Sequence, residues 1–312
     1  MHLYIHLMRL DKPIGIFLLL WPTLWGLFIA SDGHPSIQHL ITFILGTVFM
    51  RSAGCVVNDI LDRKFDSHVA RTKLRPLANQ SIPVKNAFFL LITLLFGALI
   101  CVLFLNKEAF YFSLIALFLA LTYPLTKRFF VMPQAYLGLS FGMGIPIAFV
   151  ANDIPLSMTT WLLFSANVFW AIAYDTLYAV TDKNDDLKIG IRSSAIWFGA
   201  YVKEAIMFCY TCMMGSLIWV GQLENFGWPF YVFIGLSLIF IGFLYRQIRT
   251  LNPKACFAAF LSNNYLGGFV FLGVFFHYLH VNLIINKIDK TGSFGIEFTS
   301  FFKFIAQKLV LK

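Results

Sequence analysis

The sequence predicts an all-α integral membrane bundle of about nine transmembrane helices around a central cavity. Three observations predict it. Hydrophobic residues make up 59% of the 312 positions and charged residues only 12%, against about 25% charged in soluble globular domains. The apolar residues come in windows of roughly 20, the length that crosses a hydrocarbon core. Two aspartate-bearing segments recur 120 residues apart, which reads as a pair of pseudo-repeats framing one pocket.

The windows fall at 14–31, 38–57, 86–105, 109–123, 132–151, 158–177, 203–221, 227–245 and 262–284. Only Asn106-Lys107-Glu108 interrupts the apolar run between the third and fourth. The start, MHLYIHLMRLDKPIG, lacks a small-residue cleavage site after a charged region, so the first window reads as a retained span. No long polar linker follows, so 1–285 reads as one membrane domain. The tail 286–312 interleaves Phe and Lys, as in FTSFFKFIAQKLVLK, and reads as an interfacial amphipathic helix.

The net charge of +9 would suggest nucleic acid in a soluble chain. Here the basic residues sit between apolar windows, so the lipid bilayer is the predicted partner and nucleic acid is not. Sorting them into alternate loops puts Arg9, Lys12, Arg63, Lys64, Lys127, Arg128, Lys188, Arg192 and most others on one side, and Lys107 alone on the other. The first side is therefore cytoplasmic. The tail lysines from Lys287 onward fall on the wrong side for nine spans. Five scattered cysteines, including Cys209 and Cys212, read as small buried hydrophobes, and His277 and His280 as packing or interfacial groups.

In NDILDRKFD, Asn58, Asp62 and Asp66 are spaced i, i+4, i+8 and share one helical face. In DTLYAVTDKNDD, Asp175, Tyr178, Asp182 and Asp186 recur at i, i+3, i+7, i+11 on another. Carboxylates gathered at the end of a membrane helix repel one another unless a cation intervenes. Magnesium takes one or two protein carboxylates together with waters and substrate phosphates, so Asp62, Asp66, Asp182 and Asp186 suit a metal-bridged diphosphate. Ionisable groups at the edge of a span also default to a functional role.

A departing diphosphate needs positive charge. Candidates are Arg71 and Arg75 after the first cluster, Lys188 and Arg192 after the second, and Lys127 and Arg128 in TYPLTKRF, where Tyr123-Pro124 predicts a turn beside the pocket. Arg9 and Lys12 could reach the same mouth. Arg51 precedes Asn58 by seven residues, so it faces the cavity from within an apolar span; pairing with an aspartate and contact with substrate both fit. Tyr123 and Tyr178 offer ring faces to an allylic cation.

NDILDRKFD resembles the NDxxDxxxD signature of the UbiA superfamily of intramembrane prenyltransferases, and DTLYAVTDKNDD resembles its DxxYAxxDxxxD signature. The likeness extends through RLDKPIGIFLLLWPTLWGL, RTKLRPLA, YPLTKR and DLKIGIRSSAIWFG, from about residue 9 to 280, and leaves the tail without a counterpart. It implies a laterally open cavity. In it Asn58, Asp62, Asp66, Asp182 and Asp186 hold Mg2+ and a polyprenyl diphosphate, and Lys127 and Arg128 touch the diphosphate. Asp175 and Tyr178 belong to the second motif with less defined roles. The branch most resembled prenylates 4-hydroxybenzoate ortho to its hydroxyl in ubiquinone biosynthesis, with Asp182 a candidate to orient the phenol. Other aromatic or haem prenyltransferases of the superfamily, and an ion-coupled transporter, are the alternative readings.

Overall fold

The structure, a computed structural model, describes residues 2–67, 72–190 and 192–291. Among them the chain is helical throughout, with no strand. The helices are α1 (His2–Leu7), α2 (Ile14–Ala30), α3 (Ile37–Asp66), α4 (Val84–Leu103), α5 (Lys107–Thr126), α6 (Pro133–Gly142), α7 (Gly144–Ala151), α8 (Met158–Ile189), α9 (Ser194–Trp197), α10 (Val202–Leu223), α11 (Trp228–Gln247) and α12 (Pro253–Thr291).

Each predicted window falls on a helix, with α6 and α7 together filling 132–151. Among the described residues, seven segments are long and apolar enough to cross a membrane: α3, α4, α5, α6 with α7, the stretch Gly199–Leu223, α11 and α12 up to Ile285. The predicted count of nine is therefore not met on length and hydropathy. Helix α2 is apolar but has only 17 residues. Helix α8 is diluted by Thr159, Thr160, Asn167 and Asp175 within its apolar half.

Local chemistry starts the helices where loops meet them. The Ser36 side chain accepts from the His39 N–H to cap α3, and the Asn106 side chain accepts from the Ala109 N–H to cap α5. Asn106 Nδ2 also donates to Val150 O at 2.6 Å, binding the α4–α5 turn to the end of α7. Ser157 and Thr160 form a capping box at α8. At the other end of α8, Gly190 sits at φ +73 and closes the helix with a left-handed residue.

The core lies where α2, α6, α7, α8, α10 and α12 meet. Trp25, Trp170, Tyr174, Tyr210 and Leu266 are buried there. Asn263 Oδ1 accepts from both Trp170 Nε1 and Tyr210 Oη at 2.9 Å, pinning α8, α10 and α12 together. The periphery is apolar instead: only 28% of the spanning window of α4 and 17% of that of α5 is buried, and Phe89, Phe208 and Ile239 stand exposed. An exposed apolar girdle of this kind is what lipid covers.

One expectation needs correction. Tyr123-Pro124 does not make a turn, because Pro124 lies inside α5 and the chain turns only after Thr126. Helix α12 runs across the expected boundary at 285, as far as Thr291. The rest of the tail, and with it the predicted interfacial helix, lies outside the described residues.

Candidate active site

Helices α3 and α8 are long, at 30 and 32 residues, and carry Asp62 and Asp66, and Asp182 and Asp186, in their final turns. A helix C-terminus bears a partial negative charge, so carboxylates placed there face both one another and the helix dipole. Such an arrangement calls for cations, and the structure supplies them.

A cavity of about 1160 Å³ opens between these helix ends. From α3 it is lined by Arg51, Asn58, Asp62 and Asp66, and from α8 by Asp175, Tyr178, Asp182 and Asp186. Tyr123 and Lys127 reach it from α5, and Arg192 from the segment after α8. Two more of the predicted residues need separate mention. Arg128 is not among the lining residues: its Nη2 donates to Leu61 O at 3.1 Å and lies 3.8 Å from Asp62 Oδ1, with the guanidinium over the Phe65 ring. Arg71 falls outside the described residues.

The first cluster is held by a dense set of charges. Lys127 Nζ lies 3.9 Å from Asp62 Oδ2 and 3.5 Å from Asn58 Oδ1, with its ammonium over the Tyr123 ring at 5.6 Å. Arg75 Nη1 donates to Asp66 Oδ2 at 2.7 Å and to Asp59 Oδ1 at 3.1 Å. Arg9 Nη2 adds a third bond, to Asp59 Oδ1 at 2.9 Å. Asp59 is 1% exposed. It thus anchors the N-terminal segment and the loop after α3 onto the cluster. Arg192 ties the segment after α8 to the segment between α5 and α6: its N–H donates to Lys127 O at 3.1 Å and its Nη1 to Phe129 O at 2.7 Å.

Deeper in the cavity the lining changes character. Tyr178 packs on Phe260 and Phe257, with ring centroids 5.0 and 6.2 Å apart, giving an aromatic wall. Arg51 stands roughly 16 Å along α3 from Asp62, at 1.5 Å per residue. Among the described residues its side chain meets no carboxylate; its Nε has no hydrogen-bond partner, and its guanidinium lies 5.6 Å from the Phe141 ring centroid. Of the two roles its position allowed, pairing with an aspartate is therefore not the one seen.

Four lining residues carry more of the site than their sequence pattern indicated. Asp59, Arg9 and Arg75 form the anchor just described. Tyr174, 1% exposed and in contact with Trp170, has a buried hydroxyl with no partner among the described residues. Its position one residue before Asp175 was the only signal.

No group of three or more His, Cys, Asp or Glu side chains among the described residues forms a metal site by itself. The donors nevertheless suit magnesium. They are hard carboxylate oxygens on two helices lining one cavity, and that ion binds through one or two carboxylates while phosphate oxygens and waters complete its shell. His277 serves packing, accepting from the Gly227 N–H at 3.0 Å and stacking on Phe226. Cys55, Cys101, Cys209 and Cys256 are buried free thiols, as their apolar settings predicted, whereas Cys212 is a free thiol only half-buried.

The chain is similar to proteins named 4-hydroxybenzoate octaprenyltransferase. One from Methylobacillus flagellatus is 52% identical over 271 residues, 87% of this chain and 92% of the relative. One from Burkholderia mallei is 49% identical over 276 residues, 88% and 96% of the two chains. Among solved structures, the apo form of a UbiA homolog from Aeropyrum pernix superposes with a TM-score of 0.72 at 23% identity, over 81% of this chain and 95% of that one. A UbiA homolog from Archaeoglobus fulgidus bound to GPP and Mg2+ gives 0.70 at 18% identity, over 89% and 99%; both share the fold. The model of the UbiA prenyltransferase family matches residues 19–278, which takes in both aspartate clusters, and the chain belongs to that family.

Proposed function

We propose that this chain transfers a polyprenyl group from polyprenyl diphosphate to the ring carbon ortho to the hydroxyl of 4-hydroxybenzoate, as a multi-pass enzyme of ubiquinone biosynthesis in a bacterial inner membrane. The observation that carries this reading is the meeting of two carboxylate-bearing helix ends over one cavity that is charged at its mouth and aromatic below. The names of the relatives support the acceptor.

At the mouth, Lys127 and Arg192 bind and orient the diphosphate, assisted by Asn58. Asp62 and Asp66 from α3 and Asp182 and Asp186 from α8 would hold magnesium there. When bound, the metal neutralises charge building on the diphosphate as the carbon–oxygen bond breaks. The prenyl tail lies between α4 and α5, where Leu99 and Leu114 line the cavity and are also 43% and 47% exposed. The allylic carbon, released as a cation, faces the rings of Tyr178 and Tyr123, which stabilise it without bonding to it.

The acceptor ring sits below, with Arg51 facing its carboxylate. An unpaired cation at this depth is costly without an anionic partner, and the substrate supplies one. Asp182 and Asp175 lie on the same wall of α8, where Asp182 can orient the phenol. The ortho carbon bonds to the allylic carbon, and the ring then loses its proton. A transporter would place its acidic groups near the bilayer midplane, whereas both clusters here end their helices beside basic loops.

The test is an incubation of membranes containing the chain with polyprenyl diphosphate, Mg2+ and an equimolar mixture of 4-hydroxybenzoate, 1,4-dihydroxy-2-naphthoate and homogentisate, followed by mass analysis. The reading expects a prenylated 4-hydroxybenzoate. Exclusive prenylation of either other acceptor would overturn the acceptor and keep the diphosphate chemistry.

A further inference from the structure

The position of the Arg51 guanidinium depends on a residue on another helix. Gly15 lies in the first turn of α2, buried against α3. A Cβ added there would lie 2.7 Å from Arg51 Cζ and closer still to Nε and Nη2. Real Cβ atoms do not approach other atoms so closely, so any side chain at 15 must displace the guanidinium. The backbone at Gly15 is ordinary helix, with no positive φ. Close approach, not conformation, is therefore what this glycine provides.

Arg51 also lies over Phe141, with Cζ 5.6 Å from the ring centroid. Arg51 thus lies in a slot bounded by the α2 backbone and an aromatic ring. The slot offers Nε no hydrogen-bond partner. Among the described residues no carboxylate lies within ion-pair distance of the side chain either, so the walls of the slot bear directly on where its charge stands. Arg has several rotatable bonds and would otherwise spread over many rotamers.

We propose that Gly15 is a positioning residue for the acceptor: by lacking a side chain it seats the Arg51 guanidinium where the carboxylate of the aromatic acid docks. This rests on the reading of Arg51 as the acceptor's counter-charge. Alanine at 15 moves the guanidinium, because the far end of a flexible side chain yields before the backbone does. Alanine is also a better helix former than glycine, so the variant is expected to fold.

The test compares Gly15→Ala, Gly15→Ser, Arg51→Ala and the double variant Gly15→Ala/Arg51→Ala in purified full-length enzyme. The readouts are KM for 4-hydroxybenzoate, KM for polyprenyl diphosphate, and Tm. Arg51→Ala is expected to raise the acceptor KM by tenfold or more. Gly15→Ala and Gly15→Ser are expected to raise it by about tenfold, the scale of one lost charge-assisted hydrogen bond, with the diphosphate KM and Tm held. In the Arg51→Ala background, Gly15→Ala is expected to change nothing further, since no guanidinium is left to displace. If Arg51→Ala leaves the acceptor KM unchanged, the counter-charge reading falls and the inference with it. If Arg51→Ala raises the acceptor KM but Gly15→Ala and Gly15→Ser do not, only the positioning role is overturned. An equal effect of Gly15→Ala with and without Arg51 would overturn it as well.

Discussion

Arg75 Nη1 stands 2.7 Å from Asp66 Oδ2 and 3.1 Å from Asp59 Oδ1, so one guanidinium joins the last aspartate of the first cluster to a carboxylate that is 1% exposed. Asp59 is buried because Arg9 and Arg75 both reach it. Arg75, which lines the cavity with Thr72 and Leu74, is in this way held to the end of α3.

Arg75→Ala removes one of two cations from a buried carboxylate. Losing a charged hydrogen bond in such a place costs on the order of 1.5–3 kcal/mol. The expected outcome is a lower Tm in detergent together with weaker diphosphate binding, while Arg75→Lys recovers part of the stability without the forked geometry. An Arg75→Ala enzyme with unchanged Tm would show that the anchor does not hold the loop.

Lys127 leans over the Tyr123 ring at 5.6 Å while its Nζ reaches toward Asn58 and Asp62. Tyr123→Phe keeps that ring face and is expected to leave the diphosphate KM within about twofold. Tyr123→Leu removes a contact of roughly 0.5–2 kcal/mol, so its diphosphate KM should rise about fivefold. Steady-state kinetics at saturating acceptor would separate the two variants. Equal values for both would show that the ring plays no part in seating Lys127.

The node at Asn263 separates fold from chemistry. Its Oδ1 accepts from Trp170 Nε1 and Tyr210 Oη, all three groups buried, and neither aromatic partner lines the cavity. Asn263→Leu strands two donors at about 1–3 kcal/mol each. A clear fall in Tm is expected, with both KM values of the surviving folded fraction unchanged. A change in KM without a fall in Tm would contradict the purely structural role.

Much of this was legible in the sequence, for reasons that residues make concrete. Spacing placed Asn58, Asp62 and Asp66 on one face of α3, and Asp175, Tyr178, Asp182 and Asp186 on one face of α8, because a single helix carries each set and its period is local. The hydropathy windows closed at 57 and 177 while the helices run on to Asp66 and Ile189. Hydropathy reports where lipid ends, and these helices continue beyond it. What stayed hidden depends on distant partners. Asp59 is an anchor only because Arg9, 50 residues away, and Arg75, 16 residues away, fold onto it. Nothing local distinguishes it from its neighbours. Arg128 looked equivalent to Lys127, yet consecutive residues at a helix end point in different directions, and only Lys127 lines the cavity. The break between α6 and α7 at Met143 also left no mark on hydropathy, since both halves are apolar.

The central claim is that carboxylates from α3 and α8 act together on one metal-bridged diphosphate. The direct measurement is the Mg2+ dependence of prenyl transfer by the wild-type enzyme, Asp62→Asn and Asp182→Asn, each checked for an unchanged Tm and started from chelator-treated protein. The account predicts no transfer by the wild type without divalent metal, full recovery with Mg2+, and at least a hundredfold loss in each variant at saturating Mg2+. Wild-type rates in either variant, or transfer by the chelated wild-type enzyme, would contradict it.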